Sequence, residues 1–94
     1  MMNQFVVHEP GDGVGVVVVE DVKKGDALSG WIMDGDTTIE CEAKDDIAIG
    51  HKIALQDFAV GDTVIKYGHD IGKVVQPIKK GQHVHVHNVK TKRW

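Results

Sequence analysis

The sequence has little that would anchor it in a membrane or cross-link it. Its single cysteine, Cys41, cannot form an internal disulfide. No stretch approaches the ~20 consecutive apolar residues that a membrane-spanning helix requires. The first residues also lack the charged lead and apolar core of a signal peptide. We therefore expect one small cytoplasmic domain, residues 1–94, without a membrane partner.

An excess of positive charge is also missing. Eleven lysine and arginine residues stand against fourteen aspartate and glutamate residues, which gives a formal net charge of −3. Domains that bind nucleic acid usually carry a basic surface. The composition therefore argues against a nucleic-acid partner.

Helical periodicity is nearly absent, because no window of a dozen residues repeats apolar positions at helical spacing with caps at its ends. Short runs rich in β-branched residues alternate instead with glycine and aspartate turns. These runs span residues 5–8, 14–19, 37–42, 51–55, 63–67, 73–75 and 83–89. The pattern predicts an all-β fold of about seven or eight short strands.

Three segments share one turn pattern. Each has an apolar residue, two further residues, a glycine and then a polar residue that leads into a strand, and the glycines are Gly25, Gly61 and Gly81. Glycine adopts positive φ without steric cost. We therefore predict the same kind of turn at all three positions, within one compact domain.

Histidine and valine alternate strictly from His83 to His87. Successive side chains of a strand point to opposite faces, so this pattern predicts a strand with three imidazoles on one face and two valines on the other. Imidazoles that share a face are able to converge on one metal ion or one anionic substrate. The pattern therefore indicates a candidate site, which Asn88 directly follows.

Four motifs resemble the SAF domain of the altronate/galactarate dehydratase family. They are residues 49–55, residues 60–68 with Ile71 and Gly72, residues 84–88, and His8 with Asp12-Gly13-Val14 near the N-terminus. In the last motif glycine replaces the asparagine that is usual in the family. The motifs occur in the family's order and span most of the chain.

The resemblance implies a β-clip fold, which is a compact set of long, bent hairpins. Because the chain is short and free-standing, it most resembles the small subunit of a two-component lyase. In this family the large catalytic subunit carries most of the machinery and generally depends on a divalent metal, often iron. Such enzymes remove water from a sugar acid such as altronate or galactarate, or sulfite from sulfolactate, and yield a 2-keto acid. We thus expect a large catalytic subunit and a small carboxylic acid as partners. A homo-oligomer is a further possibility, and we expect the isolated chain to be inactive.

The residues that match the family's motifs form the candidate site. The candidate catalytic residues are His85, His87, Lys52 and Lys66, and the candidate substrate-binding residues are His51, Tyr67 and Asn88. Imidazole relays protons or binds a metal near neutral pH, so His85 and His87 are also candidate metal ligands. Lysine is suited to a carboxylate, and asparagine offers a donor and an acceptor. His83 occupies a position that the family often fills with tryptophan, so we expect it to be dispensable.

Each assignment has a structural alternative. The histidines would fix hairpins through hydrogen bonds, Lys52 would be a solvated edge-strand residue, Tyr67 would pack in the core, and Lys66 would face solvent. For the whole chain, one alternative is a stand-alone carbohydrate-binding β-clip module without catalytic activity. Another is a metal-binding protein that acts through the histidine strand alone.

Overall fold

The computed structural model describes residues 3–66, 69–85 and 87–90, and in these ranges it contains strands and turns but no helix. The strands are β1 (Phe5–Val7), β2 (Val14–Val17), β3 (Ala27–Ile32), β4 (Thr37–Glu42), β5 (Lys52–Ala54), β6 (Thr63–Lys66), β7 (His69–Val74), β8 (His83–Val84) and β9 (Val89–Lys90). The predicted all-β fold is confirmed. Nothing in the described part of the chain is a helix long and apolar enough to cross a membrane.

The strands form two sheets. Six strands pair in the order β4-β3-β1-β2-β5-β8, and three pair in the order β6-β7-β9. Strand β1 runs parallel to β3 and antiparallel to β2, so the larger sheet is mixed. Strands β4 and β8 are its two edges, and β8 brings the histidine segment to one of them.

Strand β5 lies between two hydrophobic clusters. Ile53 packs into one cluster with Phe5 and Val17, and Ala54 packs into the other with Val64 and Val84. Ile53 and Ala54 are fully buried. A strand that is apolar on both faces is typical of a position between two packed layers, and this packing fixes β5 beside β8.

Strand β3 is the clearest element that the sequence pattern missed. It contains Ser29 and Gly30, which weaken β-propensity and hide the strand from a search for β-branched runs. Gly30 pairs with Phe5 in the parallel register, and a Cβ at position 30 would overlap the Phe5 ring. Glycine is used here because the aromatic ring occupies the space above it.

The predicted turn pattern is confirmed, and it occurs a fourth time. Gly25, Gly50, Gly61 and Gly81 all have positive φ, with values of 96°, 85°, 95° and 92°. The N–H that follows each glycine donates to the carbonyl three residues earlier at 3.0 Å, in the turns that end at Asp26, His51, Asp62 and Gln82. Antiparallel bridges join these turns in pairs, Val22 with Ile47 and Phe58 with Ile78.

The alternating histidine and valine run is not one continuous strand, so the prediction for residues 83–89 is wrong in this respect. Strand β8 ends at Val84, strand β9 begins at Val89, and Asn88 lies in a turn between them. The backbone N–H groups of Asn88 and Val89 both donate to the His85 carbonyl, at 3.2 and 3.1 Å. A local asparagine turn replaces ladder pairing here.

Candidate functional site

Strand pairing brings His51 to His83. His51 directly precedes β5, and His83 begins β8, which pairs with β5 through Ile53 opposite His83 and Lys52 opposite Val84. The backbone N–H of His83 also donates to Asp45 Oδ2 at 2.9 Å. The two histidines therefore meet although they are 32 positions apart in the sequence.

The turn that carries His51 differs from its three counterparts. In those turns the side chain after the glycine accepts a hydrogen bond from its own turn: Asp26 from the Lys23 N–H, Asp62 from the Ala59 N–H and Gln82 from the Lys79 N–H, at 2.7 to 2.9 Å. His51 occupies the equivalent position. Its Nδ1 lies instead 2.8 Å from His83 Nε2. The residue after the turn glycine caps its own turn in the other three cases, whereas here it contacts a residue far away in the sequence.

The imidazoles of His51, His83 and His85 form a compact cluster, which we call the imidazole cluster. The rings of His51 and His85 stack face to face, with centroids 4.0 Å apart and planes within 13°. The centroids of His51 and His83 are 5.0 Å apart and their planes lie within 22°, so the 2.8 Å hydrogen bond runs close to both ring planes. His87 is exposed, and its ring is tilted 40° against that of His83 at 5.1 Å.

Asn88 holds the backbone beneath the imidazole cluster. Its side chain is buried, its Oδ1 accepts the His85 N–H at 3.0 Å, and its Nδ2 donates to the His83 carbonyl at 2.8 Å. These contacts fix the segment from which two imidazoles of the cluster project. They support a positioning role for Asn88, while the predicted contact with substrate stays a prediction.

The electrostatic surroundings favour neutral rings at His83 and His85. The pKa of His83 is lowered by partial burial and then by His51, His87 and His85, against an opposing effect of Asp45. The pKa of His85 is also lowered, by desolvation first and then by His51, Lys52 and His87. Neutral rings keep a free lone pair, which is the form that accepts a proton or binds a metal.

The donor atoms have the chemistry of a metal site but not its geometry. The candidate ligand atoms of His51, His83 and His85 lie within 4.8 Å of one another. However, His51 and His83 face each other at hydrogen-bond distance, and the nearly parallel planes of His51 and His85 do not converge on one point. His87 is not in this group. The pairing of His85 with His87 at a metal stays a prediction.

The two lysines of the predicted site lie in different sheets. Lys52 is half-buried on β5 and acts on the pKa of His85, so it belongs to the surroundings of the imidazole cluster. Lys66 is on β6 and is only 8% exposed, so it does not face solvent. The candidate substrate-binding residue Tyr67 lies outside the described residues.

The imidazole cluster borders a cavity of about 490 Å³. His51, His83, Val22, Ile47 and Ile49 line it, together with the charged residues Glu20, Asp21, Lys23 and Asp46. Three of these four charged residues are acidic, so the cavity as it stands repels a dianionic acid. Further cationic groups are needed to hold such a substrate beside the cluster.

The alternation argument grouped His83 with His85 and His87, but the family resemblance marked His83 as dispensable. The sequence did contain a signal for a special role of His51, namely the turn pattern. Residues 47–51 repeat that pattern with histidine at the position where the other turns have aspartate or glutamine. A residue that breaks a repeated capping pattern is a candidate for another role. The partner of His51 could not be identified in this way, because it depends on the register of β5 against β8.

The fold and the site define an all-β domain that presents an imidazole cluster at one edge of its larger sheet. The chain belongs to the altronate/galactarate dehydratase SAF domain family, which matches residues 3–92. The resemblance noted in the sequence is confirmed by this match.

Individual relatives are lyase subunits and dehydratases. The chain is 62% identical to the (2R)-sulfolactate sulfo-lyase subunit alpha of Chromohalobacter salexigens over 94 residues, which is the full length of both chains. It is 40% identical to the altronate dehydratase of Bacillus subtilis over 90 residues, and 39% identical to that of Escherichia coli over 88 residues. These two matches cover only 17% and 16% of the dehydratases. The chain is therefore a lyase-associated domain.

Proposed function

We propose that this chain is the small subunit of a two-component lyase that eliminates sulfite from (2R)-sulfolactate. The observation that carries the proposal is the end-to-end match with a sulfo-lyase α subunit, at 62% identity over the whole of both chains. The altronate dehydratases align as well, but this chain corresponds to only about a sixth of their length. A separate large catalytic subunit, located with it in the cytoplasm, would supply what the small domain lacks.

The proposed reaction is a β-elimination. A base removes the proton from C2, next to the carboxylate, and the electron pair of that bond moves toward the carboxylate to form an enediolate. That pair then forms the C2–C3 double bond while the electron pair of the C3–S bond leaves with sulfite, and the resulting enol tautomerises to pyruvate. A proton next to a carboxylate is weakly acidic, so stabilisation of the enediolate must supply much of the rate.

In this scheme the chain contributes proton-transfer and binding groups. Lys52 lies close enough to His85 to lower the pKa of that imidazole, and its ammonium is suited to the carboxylate or sulfonate of the substrate. We expect the large subunit to hold most ligands of a divalent metal, expected to be iron, which would neutralise charge on the enediolate. The acidic residues around the cavity give a physical reason why the small subunit would not hold the dianion alone.

The test is co-expression with the large chain that an adjacent gene is expected to encode. The purified complex is supplied with (2R)-sulfolactate, altronate and galactarate, and release of sulfite and 2-keto acid is measured. We expect sulfite and pyruvate from sulfolactate, and no activity from the 94-residue chain alone. Activity of the isolated chain, or a complex that acts on none of the three acids, would contradict the proposal.

The second candidate is a subunit of a sugar-acid dehydratase, favoured by the alignment of 96% of this chain with the altronate dehydratase of Bacillus subtilis. The same assay separates the two, because a dehydratase releases a 2-keto acid without sulfite. A carbohydrate-binding module would bind sugar acids without turnover and would not require the large chain.

A further inference from the structure

We propose that His51 and His83 work as one proton-transfer unit, in which a proton taken up by one ring is passed on through the hydrogen bond to the other. This inference rests on the proposed lyase function and assigns its base. It gives a role to His83, which the sequence had marked as dispensable, and it changes the role of His51 from substrate binding to proton transfer.

The first observation is the geometry of the pair. The contact between His51 Nδ1 and His83 Nε2 is 2.8 Å long, and the ring planes differ by only 22°. Two imidazole nitrogens at this distance share one proton, because one must donate while the other accepts. Each ring keeps its second nitrogen for an outside partner, and both residues line the same cavity.

The second observation is that the pair is held in place from several sides. His85 stacks on His51 at 4.0 Å, Asp45 binds the His83 backbone N–H, and Asn88 binds the His83 carbonyl. A proton moves efficiently between groups whose distance is already set for transfer. The His51 turn also forgoes the side-chain cap of its three counterparts.

In the proposed step the outer nitrogen of His51, Nε2, takes the C2 proton of the substrate, and the C–H electron pair moves toward the carboxylate as an enediolate. That pair then forms the C2–C3 double bond as sulfite leaves with the C3–S pair. The bridging proton moves from His51 Nδ1 to His83 Nε2, and His83 Nδ1 releases its proton to water. Exchange of the outer protons with water restores the starting tautomers after the products leave.

The test uses variants that retain a hydrogen-bonding group but cannot relay a proton. In His51→Asn the amide replaces Nδ1, and in His83→Gln it replaces Nε2. The matched control is Thr38→Gln, an exposed site on β4, at the opposite edge of the same sheet. All variants are assembled with the large chain and checked for complex formation and bound metal.

We expect each histidine variant to assemble normally and to lose about 100-fold or more in kcat, since general acid–base groups contribute 10²–10⁴-fold. The isotope effect on kcat with substrate deuterated at C2 should rise, and added imidazole should rescue His83→Ala in proportion to its concentration. An unchanged kcat, a loss without isotope effect or rescue, or a loss of bound metal would each overturn the relay.

A readout without turnover separates this inference from the proposed function. With histidine labelled by ¹⁵N in the small chain, alone and in the complex, NMR should show one proton shared by His51 and His83, and His83→Gln should abolish it. If the wild-type complex is inactive on every acid, the proposed function fails on that result alone. If each ring instead carries its own unshared proton, that result contradicts the relay, whether or not the complex is active.

Discussion

The ring of Phe5 lies directly over the backbone of Gly30, its partner in the parallel pair of β1 and β3. Because a Cβ at position 30 would overlap that ring, Gly30→Ala must displace a fully buried aromatic side chain. We expect a loss of about 1–3 kcal/mol in the free energy of unfolding, as for other overpacked cores. Urea denaturation measures it.

Gly11→Ala is the matched control, because nothing lies within 4 Å of a Cβ at that exposed position. Its free energy of unfolding should change by less than about 0.5 kcal/mol. Equal effects at positions 11 and 30 would mean that Phe5 does not occupy this space.

Local signals made part of the fold predictable. The turns at Gly25, Gly61 and Gly81 follow from the need for positive φ, and β4 has the bounds that its run of residues predicted. Strand β3 was not predictable, because Gly30 makes sense only once Phe5 is packed over it. The low β-propensity of this segment is overridden by the packing of Phe5 against Gly30.

The same distinction holds for the candidate site. Alternation placed His85 in a site because that signal is local, and it failed beyond Val84 because Asn88 forms a turn of its own. The contact between His51 and His83 joins residues 32 positions apart. It depends on the pairing of two short strands, which the sequence pattern does not specify.

Asn88→Ala should destabilise the chain and disorder the imidazole cluster. The variant leaves the His85 N–H and the His83 carbonyl without their side-chain partner beside a buried position, which costs about 1–3 kcal/mol. Gln82→Ala, which removes a more exposed hydrogen bond to the Lys79 N–H, should cost under about 1 kcal/mol. Thermal unfolding compares the two, and a smaller loss at position 88 than at position 82 would contradict the buried-turn interpretation.

Cys41 should resist alkylation in the native protein. It is 5% exposed, and burial raises the pKa of its thiol in spite of the opposing charges of Lys80 and Lys44. Only the thiolate reacts readily. Iodoacetamide at neutral pH should modify it slowly in buffer and rapidly in urea, with mass spectrometry as the readout. Rapid labelling of the folded chain would show that the position is open.

Lys52→Met should weaken substrate binding in the assembled lyase. Lys52 is the lysine whose charge lowers the pKa of His85. Loss of this charge should raise KM for the acid about tenfold, which is equivalent to about 1.4 kcal/mol. Lys73→Met, on an exposed position of β7, is the control. Steady-state kinetics separate KM from kcat. Equal KM values for both variants would favour the alternative of a solvated edge lysine.

Acid should destabilise the chain through the imidazole cluster. The pKa values of His83 and His85 are lowered in the folded state, so between those values and the ordinary value of about 6.5 the unfolded chain binds more protons. The free energy of unfolding therefore falls as pH drops through about 6.5 and stops falling from this source once the folded-state rings are protonated.

Urea denaturation at a series of pH values should show this loss, and His83→Gln should reduce it because one of the two shifted groups is gone. Carboxylates contribute equally to both proteins below this window, so the difference between the two curves isolates the histidine. A wild-type chain that gains stability on acidification through this range would mean that the rings are paired with carboxylates rather than with one another.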